Sequence, residues 1–304
     1  MTNGLVDEQL LPHESPRQAD VRHQLGRLLA AAPFPPEELV DNLPLFLRLQ
    51  PLADLLSIDA LYRMVLDIPC VIMEFGVHRG RHAALLTALR GVYEPYNPHR
   101  RIIGFDTFEG FPDIAAIDEL GHSAVQGKFA LPNGYVNYLR EVISTHEANE
   151  PLGHIRRTIL VEGDTREALP AYLQDNPQTV IALAYFDLDL YEPTLAALRA
   201  IRPYLARGSV VAFDEINHAK WPGETVALRD AWTLDGIRLR QLPGRATPTK
   251  SDTGPLVGTS VEVLMLWVSM MAAVGCALRP ACWRARAVRS VLSCLKMPSS
   301  RQAA

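Results

Sequence analysis

The sequence is poor in cysteine, with four in 304 residues and no CxxC pair. That argues against both a disulfide framework and a thiolate zinc site. No internal repeat breaks the chain into units. There is no G-x-G-x-x-G run, so no dinucleotide pyrophosphate need be bound. The first sixteen residues are polar and hold no apolar signal core, from which a cytoplasmic location is expected. Positive charge is outweighed by negative in the body of the chain. Net charge is -4, although the stretch after Leu278 carries Arg279, Arg284, Arg286, Arg289, Lys296 and Arg301 without one Asp or Glu. The body is therefore acidic, and a nucleic-acid surface is not expected there. What remains, 48% hydrophobic and 21% charged, is ordinary globular composition.

Against that background four acids stand out. The apolar run Ala182-Leu183-Ala184-Tyr185-Phe186 leads into Asp187-Leu188-Asp189, and Val210-Val211-Ala212-Phe213 leads into Asp214-Glu215. Both runs read as buried parallel strands. Carboxylates at the carboxyl edge of such strands lie where open α/β sheets bind ligands. Gathered there they repel one another, unless a cation or a reacting proton compensates. Asp187 and Asp189 are two apart, so on a continuing strand they share a face. The plain alternative is that these acids cap helices or decorate loops.

The rest of the chain is organised around those strands. Residues 1–20 read as loosely held, and residues 21–67 as two or three helices with a Pro-rich break at 33–36. From residue 70 strands and helices alternate. Strands are expected over 70–75, 101–105, 156–161, 180–186, 209–213 and 236–241, and helices over 81–89, 165–174, 192–205 and 224–232. The expected class is α/β, a doubly wound, mainly parallel sheet under an N-terminal helical cap. Three regions are expected: 1–67 for the start and cap, 68–249 for the main domain, and 250–304 for an atypical tail. The tail is almost wholly apolar over 263–278 and then basic. It reads as a membrane anchor, a buried helix or an aberrant sequence.

The first strand ends Glu74-Phe75-Gly76-Val77-His78-Arg79-Gly80, whose glycines permit a tight turn and a close ligand. Strand two ends at Asp106, in Asp106-Thr107-Phe108, where an acid typically holds ribose hydroxyls. Strand three ends Glu162-Gly163-Asp164, where an acid can accept from an exocyclic amine. Three acids after three successive strands outline a nucleoside-shaped cleft. The segment from Gly110 to Pro132 reads as a lid over it. Among the histidines, His218 alone is given a chance of substrate contact.

The segments EFGVHRG, LRGVYEPYNPHRRIIGFDTFEGFPD, GDTREALP, FDLDLYEPTLAALRAIRPYL and DEINHAKWPGET together resemble the macrocin O-methyltransferase family. The resemblance runs from about residue 43 to 248. It implies a class I methyltransferase sheet that binds S-adenosylmethionine and Mg2+ and methylates a hydroxyl on a sugar or glycosylated small molecule. Carried over, Glu74 and Gly76, with Gly80, face the methionine end of the cofactor. Asp106, Thr107 and Phe108 lie at the ribose, and Gly163 and Asp164 near the adenine. Asp187, Asp214 and Glu215 bind the metal, and Asp189 is the base. The family more often has Asp-Asp where this chain has Asp214-Glu215. The resemblance also suggests a homo-oligomer. Two other readings stay open: a CoA-transferase with a carboxylate nucleophile, and a non-catalytic module that binds the cofactor or a nucleotide.

Overall fold

The computed structural model describes residues 15–235, 237–242 and, for the backbone, 262–265. All of them lie within one compact unit, Met1–Met270. The unit opens with α1 (Pro16–Ala30), five residues earlier than the apolar spacing indicates. Its start is fixed by a capping box, in which the Ser15 hydroxyl accepts from the Gln18 amide while the Gln18 side chain accepts from the Ser15 amide. Pro16 at the first helical position needs no hydrogen-bond partner. Helices α2 (Pro36–Asp41) and α3 (Leu49–Met64) follow.

Then comes the alternation: β1 (Val71–Phe75), α4 (Arg81–Tyr93), β2 (Ile102–Asp106), α5 (Ala116–Glu119), α6 (Tyr135–Ala148), β3 (Thr158–Glu162), α7 (Thr165–Asp175), β4 (Ile181–Phe186), α8 (Tyr191–Ile201), β5 (Leu205–Phe213), α9 (Gly223–Trp232), β6 (Arg238–Gln241) and β7 (Glu262–Met265). The strands form one sheet in the order β3-β2-β1-β4-β5-β7-β6, with every pairing parallel. The order reverses between β1 and β4, which makes their carboxyl ends the switch point of a doubly wound sheet. The helix expected over 192–205 ends earlier, because Arg202–Tyr204 tightens into a 3-10 turn and Leu205 already opens β5. Residue 265 is the last described: 263–265, the start of the apolar stretch, belong to β7 of this sheet rather than to a helix or a separate tail beginning at 250, and the rest of the possible anchor, 266–278, lies outside the described residues. Among those that are described, no helix is long and apolar enough to cross a membrane.

Strand alternation divides the core into two layers. Met73, Phe75, Ala184, Phe186, Val211 and Phe213 pack under α7, α8 and α9, while Ile72, Leu183, Tyr185, Val210 and Ala212 pack under α3 and α4. Every residue of β4 is buried, as expected for a strand covered on both faces. The last core position of four adjacent strands is phenylalanine. Phe105, Phe75, Phe186 and Phe213 are in register and stack at 5.3, 4.7 and 5.0 Å between ring centroids. This ladder closes the core, and the next residue on each strand begins the cleft.

Candidate active site

The row above the ladder is Asp106, Gly76, Asp187 and Asp214. It is held as a continuation of the sheet: Gly76 donates to the Phe105 carbonyl at 3.0 Å, Asp187 to Phe75 at 2.8 Å, and Asp214 to Phe186 at 3.0 Å. Asp187 and Asp214 thus stand on neighbouring strands, whose spacing is about 4.8 Å. Gly76, at φ +91°, is obligatory here, because a Cβ would lie 1.9 Å from the Asp187 carbonyl oxygen. Gly80 adopts φ +78° as the N-cap of α4, and a Cβ there would meet Leu139 at 2.3 Å.

An open cleft lies on this row. Of the residues singled out from sequence, Gly76, Asp106, Thr107, Asp164, Asp187 and Asp189 line it. Glu74, Gly80, Phe108, Gly163, Asp214 and Glu215 do not. Asp106 ties the loops around the cleft together: its Oδ2 accepts from the His78 amide and its Oδ1 from the Phe108 amide, both at 2.6 Å. Thr107 donates to the Gly110 carbonyl. Asp164 caps α7 through the Arg166 amide, and Arg166 also pairs with Asp113 of the loop over the cleft. Glu74 points into the α4 layer. It is 1% exposed, and neither carboxylate oxygen has a hydrogen-bond partner among the described residues. Burial, then the charges of Asp187 and Asp106, hold its carboxyl well above the usual range. The nearest ring nitrogen, His82 Nδ1, is 3.7 Å away.

The acid segment departs from the simple strand reading. β4 stops at Phe186, and Leu190 donates to the Leu188 carbonyl at 2.7 Å, closing a three-residue turn around Asp189. Asp189 has φ +62°, a strained conformation for a side-chain-bearing residue. The period-two argument for Asp187 and Asp189 therefore does not apply, although both line the cleft. Nor is Asp189 the cap of α8. That helix begins after Leu190, and its Tyr191 amide donates to Asp118 Oδ1 at 3.0 Å.

The half-buried carboxylates act on one another. Burial raises Asp187 to about 8, with Asp189 adding to the shift and Arg81 opposing it. Burial and then Asp214 raise Asp189 to about 7, opposed by Lys128. Glu215 rises to about 9 through burial and the charges of Asp214, Asp189 and Asp187, while it also sits 3.0 Å from His218 Nδ1. No three carboxylate, imidazole or thiol groups are gathered at metal-liganding distance among the described residues.

Several residues of the site were not singled out from sequence. His78, Phe111, Phe129, Thr165 and Pro193 line the cleft. Phe111 and Phe129 reach it from the loop between β2 and α6, which carries α5; they pack on each other at 5.3 Å and on Trp221 of the loop before α9 at 6.1 and 6.4 Å. Lys128 Nζ lies over the Trp221 ring at 4.8 Å. Glu224 of α9, 0% exposed, accepts from the amides of Leu188, Asp189 and Glu215.

A methyltransferase-domain family profile matches residues 73–216. The crystal structure of CalS11, a calicheamicin methyltransferase, is 58% identical with a TM-score of 0.76, covering 82% of this chain and 97% of its own. The apo structure of CalS11, described as a TDP-rhamnose 3'-O-methyltransferase, is 56% identical with a TM-score of 0.69, covering 78% and 95%. No curated protein matches the chain.

Proposed function

The chain belongs to the macrocin O-methyltransferase family of methyltransferases, and from that premise we propose that it moves the methyl group of S-adenosylmethionine to a hydroxyl of a sugar, with a deoxysugar on a nucleoside diphosphate as the acceptor class. The observation that carries this reading is the strained Asp189, set in the cleft beside Asp187. The acceptor class rests on the similarity to CalS11, whose substrate is TDP-rhamnose.

In this reading the carboxyl ends of β1, β2 and β3 would hold the cofactor. Gly76 leaves room for its methionine end, Asp106 and Thr107 face the ribose, and Asp164 lies at the adenine. Gly80, Phe108 and Gly163 shape the turns behind these contacts. Glu74 acts from the layer below, as a buried carboxyl under the methionine end. The acceptor enters between Asp189 and the aromatic wall of Phe111, Phe129 and Trp221, where a sugar ring stacks on apolar faces. Asp189 would accept the hydroxyl proton of the acceptor, and bound S-adenosylmethionine would supply the methyl, its S–CH3 bond breaking to leave S-adenosylhomocysteine. The raised pKa of Asp189, about 7, suits proton acceptance near neutrality. When bound, the sulfonium would supply the reactivity, so the protein mainly orients the reacting groups.

Magnesium belongs to the same proposal. Asp187, Asp214 and Glu215 would offer hard oxygens; they are not gathered at liganding distance in the structure, but the charges of Asp214 and Asp187 raise the Glu215 carboxyl, and a divalent cation would relieve that repulsion. When bound, the ion would polarise a hydroxyl oxygen of the acceptor. The test is methyl transfer to TDP-rhamnose, followed by mass spectrometry. One methyl gained on oxygen, lost in D189N, supports the reading. Cofactor binding without transfer to any nucleoside-diphosphate sugar would leave a binding module instead.

A further inference from the structure

We propose that Glu224 is the positioning residue that fixes the two acid-bearing loops of the active site relative to each other; the inference rests on the methyltransferase reading above. The ladder hydrogen bonds between β4 and β5 end where Asp214 donates to the Phe186 carbonyl. Beyond that row both chains turn away, and the amides of Leu188, Asp189 and Glu215 face inward. Buried amides without acceptors are costly. Glu224 supplies the acceptors from a third element. Its Oε1 accepts from Leu188 at 3.0 Å and Asp189 at 3.4 Å, and its Oε2 accepts from Glu215 at 3.3 Å. One planar group thereby spans both loops. Asp189 cannot leave its strained turn without losing this bond, and the Asp214-Glu215 segment is referred to the same carboxylate.

Only a side chain with two acceptor oxygens can do this. Glutamine has the same shape, but its amide nitrogen would face an N–H on one side or the other, releasing one loop. Burial and the charges of Asp189, Asp187, Asp214 and Glu215 push the Glu224 carboxyl well above the usual range; its place in the first turn of α9 and its three amide donors oppose that push by favouring the anion. It does not line the cleft, so it acts through Asp189 and Glu215 and touches neither methyl donor nor acceptor.

The test is E224Q, read by kinetics and by 1H–15N spectra. The expected result is a fall in kcat of roughly 100-fold, the scale of a 1 Å misplacement. Affinity for S-adenosylhomocysteine should stay within a few fold, and the amide protons of Leu188, Asp189 and Glu215 should shift. A pure packing role predicts wild-type behaviour for this isosteric change. Wild-type kcat with unmoved amides would overturn the proposal, as would lost kcat with unmoved amides. Should E224Q not fold, E224D carries the same readouts: its shorter stem should move the three amides and lower kcat, and the same unmoved result overturns it. If the wild type methylates no sugar, the functional reading fails, while the amide shifts still decide whether Glu224 holds both loops.

Discussion

At the scale of single residues, the account depends on Asp189 and Gly76. D189N removes the proton acceptor while keeping the volume. Turnover should fall below detection and S-adenosylhomocysteine affinity should change only a few fold, as calorimetry can check. G76A forces a Cβ against the Asp187 carbonyl oxygen. Its expected cost is on the order of 3 kcal/mol, read in thermal melts, with weakened cofactor binding in what remains folded. The identities of these residues were legible in the sequence, because an acid or glycine directly after an apolar run is an edge residue of a parallel sheet. Their directions were not. Asp189 is wrapped in a three-residue turn that no side-chain period encodes, and Glu74 turns into the α4 layer because strand alternation sends it away from Phe75. That Glu224 accepts from three foreign amides was not legible, since only the fold brings them to it.

At the scale of elements, the ends of β4 and β5 form one electrostatic unit. Asp187, Asp189 and Glu215 have folded pKa values of about 8, 7 and 9 without metal, against roughly 4 in an unfolded chain. The folded state therefore binds more protons than the unfolded state between about pH 4 and pH 9. Stability should be fullest at the acid end of that window and fall as pH rises through the folded values. Melting in EDTA should accordingly give a lower Tm at pH 9 than at pH 6. Magnesium should recover the loss at pH 9 and do little at pH 6; a Tm unaffected by magnesium at both would remove the ion from the scheme. The loop between β2 and α6 was recognisable from its Gly and Pro punctuation as a covering segment. Its pairing with Trp221 was not, because the two lie some 90 positions apart in sequence. W221A should raise KM for the sugar acceptor about tenfold or more and leave KM for the cofactor nearly unchanged.

At the scale of the whole molecule, the strand order and the helices on both faces follow from the alternation of apolar runs and periodic segments. What the sequence concealed is how the opposite edge is held. Arg90, Arg100 and Arg157 are fully buried there, near the starts of β2 and β3, and are matched by Glu94, Glu147 and Glu150. Charged residues scattered over residues 90–157 look like surface until the fold closes over them. E150A would remove the carboxylate paired with the buried Arg157 and leave Arg90 paired with Glu147; it should cost about 3–5 kcal/mol in urea unfolding, with the catalytic constants of the remaining folded enzyme unchanged. Stability is thus secured at one edge of the sheet, and the other is free to carry mutually repelling acids. The most direct test of that division of labour is a crystal structure of the protein with S-adenosylhomocysteine. The account predicts the cofactor along β1, β2 and β3, with its sulfur beside Asp189 and its ribose at Asp106. A cofactor bound elsewhere, or a sulfur facing away from the Asp187–Asp189 turn, would contradict it.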